Sequence, residues 1–145
     1  MCLNTHWQKA KVAKQDIICY KIVTRGRGMR RGTYKSYWRE YRYSLNKRYH
    51  EPLFMPDLEA RQGRQLIEGK PVYFCDYGFH SYSKAAGHLF GMKDVLIKCV
   101  IPKGTRYYES TYGTEYCAEE LQVLAQAERP PILEHDKVKW ITEFN

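Results

Sequence analysis

The run Val95-Leu96-Ile97-Lys98-Cys99-Val100-Ile101 constrains the fold most. It is too short for a helix of ordinary length, is rich in β-branched side chains, and reads as a buried strand. Pro102-Lys103-Gly104-Thr105 ends it, because Pro102 cannot donate to a ladder and Gly104 supplies turn geometry. Ile17 to Val23 has the same character and stops at Arg25-Gly26-Arg27-Gly28. Val72 to Cys75 reads as a third strand, broken by Asp76-Tyr77-Gly78. Leu121 to Leu124 and Val138 to Phe144 complete a small sheet.

Helix signals are fewer. Asp57 after Pro56 caps an expected helix running to about Glu68, with Gly69 and Pro71 as stops. Ser83 opens a second, short one through Phe90. Tyr34 to Tyr49 fits two periods. Tyr34, Trp38, Tyr41 and Leu45 share a helical stripe, whereas Tyr37, Arg39, Tyr41, Tyr43 and Leu45 alternate as in a strand. Strands outnumber helices and do not alternate with them, so the expected class is α+β: a small mixed or antiparallel sheet of about five strands with two or three short helices.

At 145 residues, with 43% hydrophobic side chains, the chain matches one domain with one core. There is no internal repeat and no Pro/Ser linker. Residues 1–15 are expected to be loosely ordered, and 24–35 to form a mobile basic loop. Met1 to Gln15 is polar, and no apolar run approaches the roughly 18 residues of a membrane span. Cys2, Cys19, Cys75, Cys99 and Cys117 are odd in number, far apart and without a C-x-x-C pair. They read as reduced, mostly buried thiols of a cytoplasmic protein. Cys75, His80 and His88 lack metal-ligand spacing, so no metal is expected.

Charge is distributed very unevenly. Lys21, Arg25, Arg27, Arg30, Arg31, Lys35, Arg39, Arg42, Lys47 and Arg48 face a single acid, Glu40. That stretch therefore carries a net +9 in a chain whose total is +8, leaving the remainder close to neutral. Most of these bases are Arg, whose planar fork suits phosphate or carboxylate and stacks on rings. Aromatic residues interleave them, as in surfaces that hold phosphates while stacking bases. The expected anion-binding set is Arg25, Arg27, Arg30, Arg31, Lys35, Arg39, Arg42, Lys47 and Arg48, with Tyr34, Trp38 and Tyr41 as stacking residues. A solvated face with inward aromatics is the plainer alternative, but the self-repulsion of such a segment weighs against it.

Four short segments carry a resemblance. Gly78-Phe79-His80-Ser81-Tyr82-Ser83 resembles the G-F-x-S-T-S segment of the ADP-ribosyltransferase fold. Cys19-Tyr20-Lys21-Ile22 stands where that family has a Tyr-Arg pair, and Val95 to Thr105 resembles its later strand ending in a Pro-Lys-Gly turn. Glu119-Glu120-Leu121-Gln122-Val123-Leu124 sits where it places a catalytic Glu. The resemblance implies NAD as cofactor, with Lys21 at the phosphates, Ser81 beside the ribose and Glu120 stabilising an oxocarbenium-like state. Lys21 replaces the family's Arg, and Ala118 stands where arginine-modifying members carry a second acid.

The whole chain also resembles a family of small proteins of bacteriophages and gut-bacterial mobile elements whose motifs carry no known chemistry. The shared features are Met1-Cys2-Leu3, the Cys-Tyr-Lys strand, the Gly-Phe-His-Ser-Tyr turn, and Ile-Pro-Lys-Gly followed by Tyr-Tyr. That resemblance implies an accessory, counter-defence role, anti-CRISPR-like or nucleotide-sequestering, in the cytoplasm of a bacterial host cell.

Other constellations are weaker. Asp76, His80 and Ser81 are neighbours in sequence, whereas hydrolase triads assemble in space, and no G-x-S-x-G elbow or phosphate loop occurs. The expected function is a small basic binding protein without catalysis or cofactor. It would hold a nucleic acid, a signalling nucleotide or another polyanion, and no membrane. An NAD-dependent ADP-ribosyltransferase is one alternative, and an inhibitor docking on an acidic protein groove is the other.

Overall fold

The structure, a computed structural model, describes residues 10–26, 28–37, 41–56, 64–67, 70–73, 77–84, 94–110, 112–128 and 138–144. In chain order the strands begin β1 (Lys11–Val12), β2 (Ile17–Thr24), β3 (Thr33–Lys35), β4 (Arg42–Ser44), β5 (Arg48–His50), β6 (Arg64–Ile67) and β7 (Lys70–Tyr73). They continue as β8 (Phe79–Tyr82), β9 (Asp94–Ile101), β10 (Arg106–Glu109), β11 (Glu115–Ala118), β12 (Glu120–Ala127) and β13 (Trp140–Ile141). Eleven of them form one antiparallel sheet in the order β1-β10-β11-β8-β2-β9-β12-β13, with β3–β4 joined to β2 and β5 to β12. β6 and β7 form a separate hairpin.

The α+β expectation is thus corrected: the described residues contain strands and no helix. The expected helix from Asp57 to Glu68 includes Arg64–Ile67, which pairs with Lys70–Tyr73 as a hairpin; residues 57–63 and 68 lie outside the described residues. Gly69 and Pro71 suit helix stops, but glycine punctuates a hairpin equally well. Of the expected helix from Ser83, only Ser83 and Lys84 are described, and they lie in a bend. The described parts of the ambiguous segment Tyr34 to Tyr49 are strands and turns, and antiparallel pairing sets Tyr34 opposite Tyr43 so that both face the core; residues 38–40 lie outside the described residues.

Three eight-residue strands, β2, β9 and β12, form the centre. Their alternation gives the sheet two faces. The inner face carries Cys19, Lys21 and Val23 of β2, opposite Cys99, Ile97 and Val95 of β9, with Leu121 and Val123 of β12 beyond. The outer face carries Tyr20 and Leu96, covered by Trp140, whose ring stacks on Tyr20 at 5.8 Å. Between Val123 and Ala125 a bulge shifts the register, so Gln126 falls opposite Ile97 and faces inward.

β3 meets β2 at one pair only, Thr24↔Lys35, and then leaves the sheet with β4. The chain returns as β5 to the far side of the three central strands, pairing with β12. The described parts of segment 33–50 therefore cross the inner face and bury Tyr34 and Tyr43 against it. Tyr34 donates its hydroxyl to Gln126 Oε1 at 2.7 Å, the acceptor that the bulge brings inward. Tyr41, Tyr43, Tyr49 and Phe79 pack edge-on and tilted at 5.1–6.4 Å beneath the crossing segment. Close approach also governs Gly78, where a Cβ would collide with Cys117 Sγ.

A candidate anion-binding face on the crossing hairpin

The hairpin β3–β4 has one buried face and one open face. Tyr34 opposes Tyr43 inward, while Lys35 opposes Arg42 outward, placing two cations directly across from each other. The row continues through Thr24 of β2 to Asp94 of β9, which supplies one carboxylate at its far end. Arg30 and Arg31 are exposed in the turn before β3. Gly32 closes that turn with a positive φ of 79°, and the Arg30 carbonyl accepts both the amide and the hydroxyl of Thr33. Among the described residues, no carboxylate pairs with Arg30, Arg31 or Arg42.

The remaining expected cations are otherwise occupied or outside view. Arg25 is half-buried and donates from Nη2 to the Met29 carbonyl at 3.1 Å, so it shapes the turn after β2. Arg48 is bound to the Glu120 carboxylate, and Lys47 is exposed with Nζ 5.8 Å from the Tyr49 ring. Arg27, Arg39 and the expected stacking residue Trp38 lie outside the described residues. Tyr34, also expected to stack on a ligand, is 0% exposed and is a core residue. Tyr41 is 38% exposed, with its ring packed against Tyr43, Tyr49 and Phe79. Sequence reasoning did not single out Tyr37, which is 60% exposed in the loop joining β3 to β4. Its alternation with Arg39 and Tyr41 was the available signal.

That loop is held at its neck. Ser36 N donates to Tyr41 O at 2.8 Å, and Tyr41 N donates to Ser36 Oγ at 2.9 Å. The Tyr41 ring is further braced by Tyr43 at 5.1 Å and Phe79 at 5.5 Å.

The residues suggested by the ADP-ribosyltransferase resemblance are divided between the two faces. Lys21 and Ser81 come together on the inner face, because β8 pairs with β2 at Tyr20↔Tyr82. Lys21 donates to the His80 carbonyl, and its Nζ lies 5.7 Å from the Tyr43 ring centre. Ser81 is buried against the Cys19 thiol, and its hydroxyl has no conventional hydrogen bond. Glu120 sits on the other face, since its neighbour Leu121 fills the core and its own carboxylate binds Arg48. The structure does not bring the three into one site.

Comparison with known proteins returned no match to a family model, a curated protein or a solved structure.

Buried titratable groups set the pH limits of the fold. Cys19, Cys99 and Cys117 are free and buried; Cys2 and Cys75 lie outside the described residues, as does His88. Desolvation pushes the Cys19 thiol up to about 11 and the Tyr34 hydroxyl up to about 12, and it raises Cys99 and Tyr43 well above their ordinary values. A raised folded-state pKa stabilises only while the unfolded group also keeps its proton. This contribution is present below the ordinary thiol and tyrosine values of 9.0 and 10.0 and is lost as pH rises above them. Glu119 acts in the opposite sense: bonds from Arg106 at 2.6 and 2.9 Å, with His50 at 3.1 Å, hold its carboxyl below the ordinary 4.5. Its contribution is present above 4.5 and is lost as pH falls through the lowered value. Urea unfolding should therefore show stability falling steadily from about pH 9 to about pH 11. A flat profile across that window would remove this account.

Proposed function

We propose that this protein is a non-enzymatic binder of a polyanion, nucleic acid or nucleotide, held on the outer face of β3–β4 and the turn before it. One observation carries the reading: Arg30, Arg31 and Arg42 stand exposed beside Lys35, and no described carboxylate pairs with the three arginines. Like charges directly opposite on paired strands destabilise the pair, and an anion bridging them converts that cost into affinity. Arg supplies bidentate geometry for phosphate, which a merely solubilising face does not need. A counter-defence role in a bacteriophage or mobile element, through nucleic acid or nucleotide signals, is the setting the family resemblance suggests. An acidic protein groove would meet the same cations, and binding to such a protein without any affinity for nucleic acid or polyphosphate would favour it.

The test is fluorescence anisotropy with labelled DNA, single-stranded and duplex, and with polyphosphate, across about 50 to 200 mM salt. Log affinity should fall linearly with log salt. For the single strand, Lys35→Gln with Arg42→Gln should reduce the slope by about 1.4, because each phosphate left without its cation lowers it by about 0.7. Absence of binding to all three polyanions at the lowest salt would overturn the proposal.

A further inference from the structure

We propose that the ligand of this face is a chain of linked phosphates, as in a nucleic-acid strand or inorganic polyphosphate, and not a single nucleotide. The inference rests on the polyanion-binding reading above and names the ligand class within it.

The separation of the cations along the β3–β4 ribbon carries it. Arg30 and Arg31 stand exposed in the turn before β3, and Arg42 stands exposed at the other end, opposite Lys35. The ribbon begins where Leu45 N donates to the Gly32 carbonyl at 2.7 Å. Its register runs on through Thr33↔Ser44 and Tyr34↔Tyr43 to Lys35↔Arg42. From Gly32 to Lys35 the backbone therefore advances about 10 Å, at roughly 3.3 Å per residue. The outward positions between the two ends are held by the short hydroxyl side chains of Thr33 and Ser44. A DNA strand carries a phosphate about every 3.4 Å of helix axis, so about three fall along this length. A nucleotide concentrates its charge on one short phosphate tail and meets one end of the ribbon at a time. Joining both sets of contacts in one molecule raises affinity well beyond either set alone.

Two further features set the path of the chain. Thr33 donates its amide and its hydroxyl to the Arg30 carbonyl at 3.2 and 2.6 Å, which holds the backbone of the turn at its end of the ribbon. At the other end the row crosses Thr24 to the Asp94 carboxylate, which bears the same sign of charge as phosphate. A phosphate chain is thus directed along the ribbon between Arg42 and Arg30–Arg31, and not across it toward β9.

The experiment uses the full chain and two labelled tracers, an oligothymidylate of roughly 16 nucleotides and inorganic polyphosphate. Each is displaced at one salt concentration by ATP, by unlabelled oligothymidylates of roughly 2 to 16 nucleotides, and by unlabelled polyphosphate. ATP should compete roughly 10-fold or more weakly than a strand of roughly 8 nucleotides. Affinity should climb steeply until about four phosphates are present and only slowly beyond. Arg30→Gln with Arg31→Gln, and Arg42→Gln alone, should each weaken the longest strand roughly 3-fold or more, because both ends are engaged. These side chains are exposed and the Thr33 bonds use the Arg30 carbonyl, so the substitutions leave the fold intact, which circular dichroism verifies. Equal displacement by polyphosphate and DNA assigns the contacts to phosphate alone, and displacement by DNA only narrows the chain to nucleic acid; both uphold the inference. ATP competing as well as the longest strand, or either set of substitutions proving inert, would overturn it while the polyanion reading stands. If neither tracer binds at low salt, both fall.

Discussion

Tyr34→Ala is expected to destabilise the protein by about 3–5 kcal/mol, the range for deleting a fully buried aromatic side chain. Tyr34 is completely enclosed between β3 and the inner face, among Val23, Ile97 and Tyr43. Nothing nearby is free to collapse into the space it would leave, since its neighbours belong to paired strands. The truncation would also strip Gln126 Oε1 of the hydroxyl it accepts from, inside the core. Tyr34→Phe isolates that second effect and should cost about 1–2 kcal/mol. Chemical denaturation of the two variants measures both numbers. The comparison also separates packing from recognition: a stacking residue would lose ligand affinity on Tyr34→Phe less than on Tyr34→Ala while stability barely moved. If Tyr34→Ala unfolds at the same denaturant concentration as the parent, the residue is not in the core and the crossing of the hairpin is wrong.

Tyr34 also shows where sequence reasoning stops. Strands with β-branched runs ended by Gly or Pro were legible: Ile17–Thr24 and Asp94–Ile101 lie within a residue of their expected bounds. These signals are local, since one run and its punctuation suffice. The basic segment was equally plain in composition. Which tyrosines of that segment face inward depends on non-local pairing, β3 with β2 at one end and β5 with β12 at the other. A helical stripe and a strand alternation both contain Tyr41, so periodicity had no means to choose. The bulge between Val123 and Ala125 is invisible for the same reason. It turns Gln126, which plain alternation from Leu121 would place outward, into the inner partner of Tyr34. Charge is the other limit. Arg48 and Glu120 are far apart in sequence, and only the β5–β12 register reveals that this Arg is neutralised, while Arg42 meets no carboxylate among the described residues. Arg64–Ile67 was expected to be helical, and is a strand, because Gly and Pro end helices and hairpins alike.

Lys21→Met should raise stability by about 1–3 kcal/mol near pH 7, the opposite sign to the usual outcome of substitution on a core face. Lys21 stands on the inner face between Cys19 and Val23, opposite Ile97, positions that otherwise hold apolar side chains. Its ammonium reaches the His80 carbonyl and the Tyr43 ring, and none of the described ion pairs involves it. The thiols of Cys99, Cys19 and Cys117 are the groups whose ionisation would favour its charge, and with Cys19 and Cys99 held protonated by burial they are poor counter-ions. Desolvation accordingly lowers the Lys21 pKa from the ordinary 10.5. Met has a similar length, no charge and enough flexibility to fill the same space. What it loses is one hydrogen bond and a cation–ring contact at 5.7 Å, together smaller than the cost of keeping a charge from water. The pH dependence provides an internal control. Between the lowered folded pKa and 10.5 the unfolded chain binds more protons at this site, so the parent gains on the variant as pH rises. The advantage of Lys21→Met should therefore shrink as pH rises toward 10.5 in paired urea titrations. A variant less stable than the parent at neutral pH would mean that the carbonyl and ring contacts outweigh desolvation, and that Lys21 is an anchor between β2 and β8.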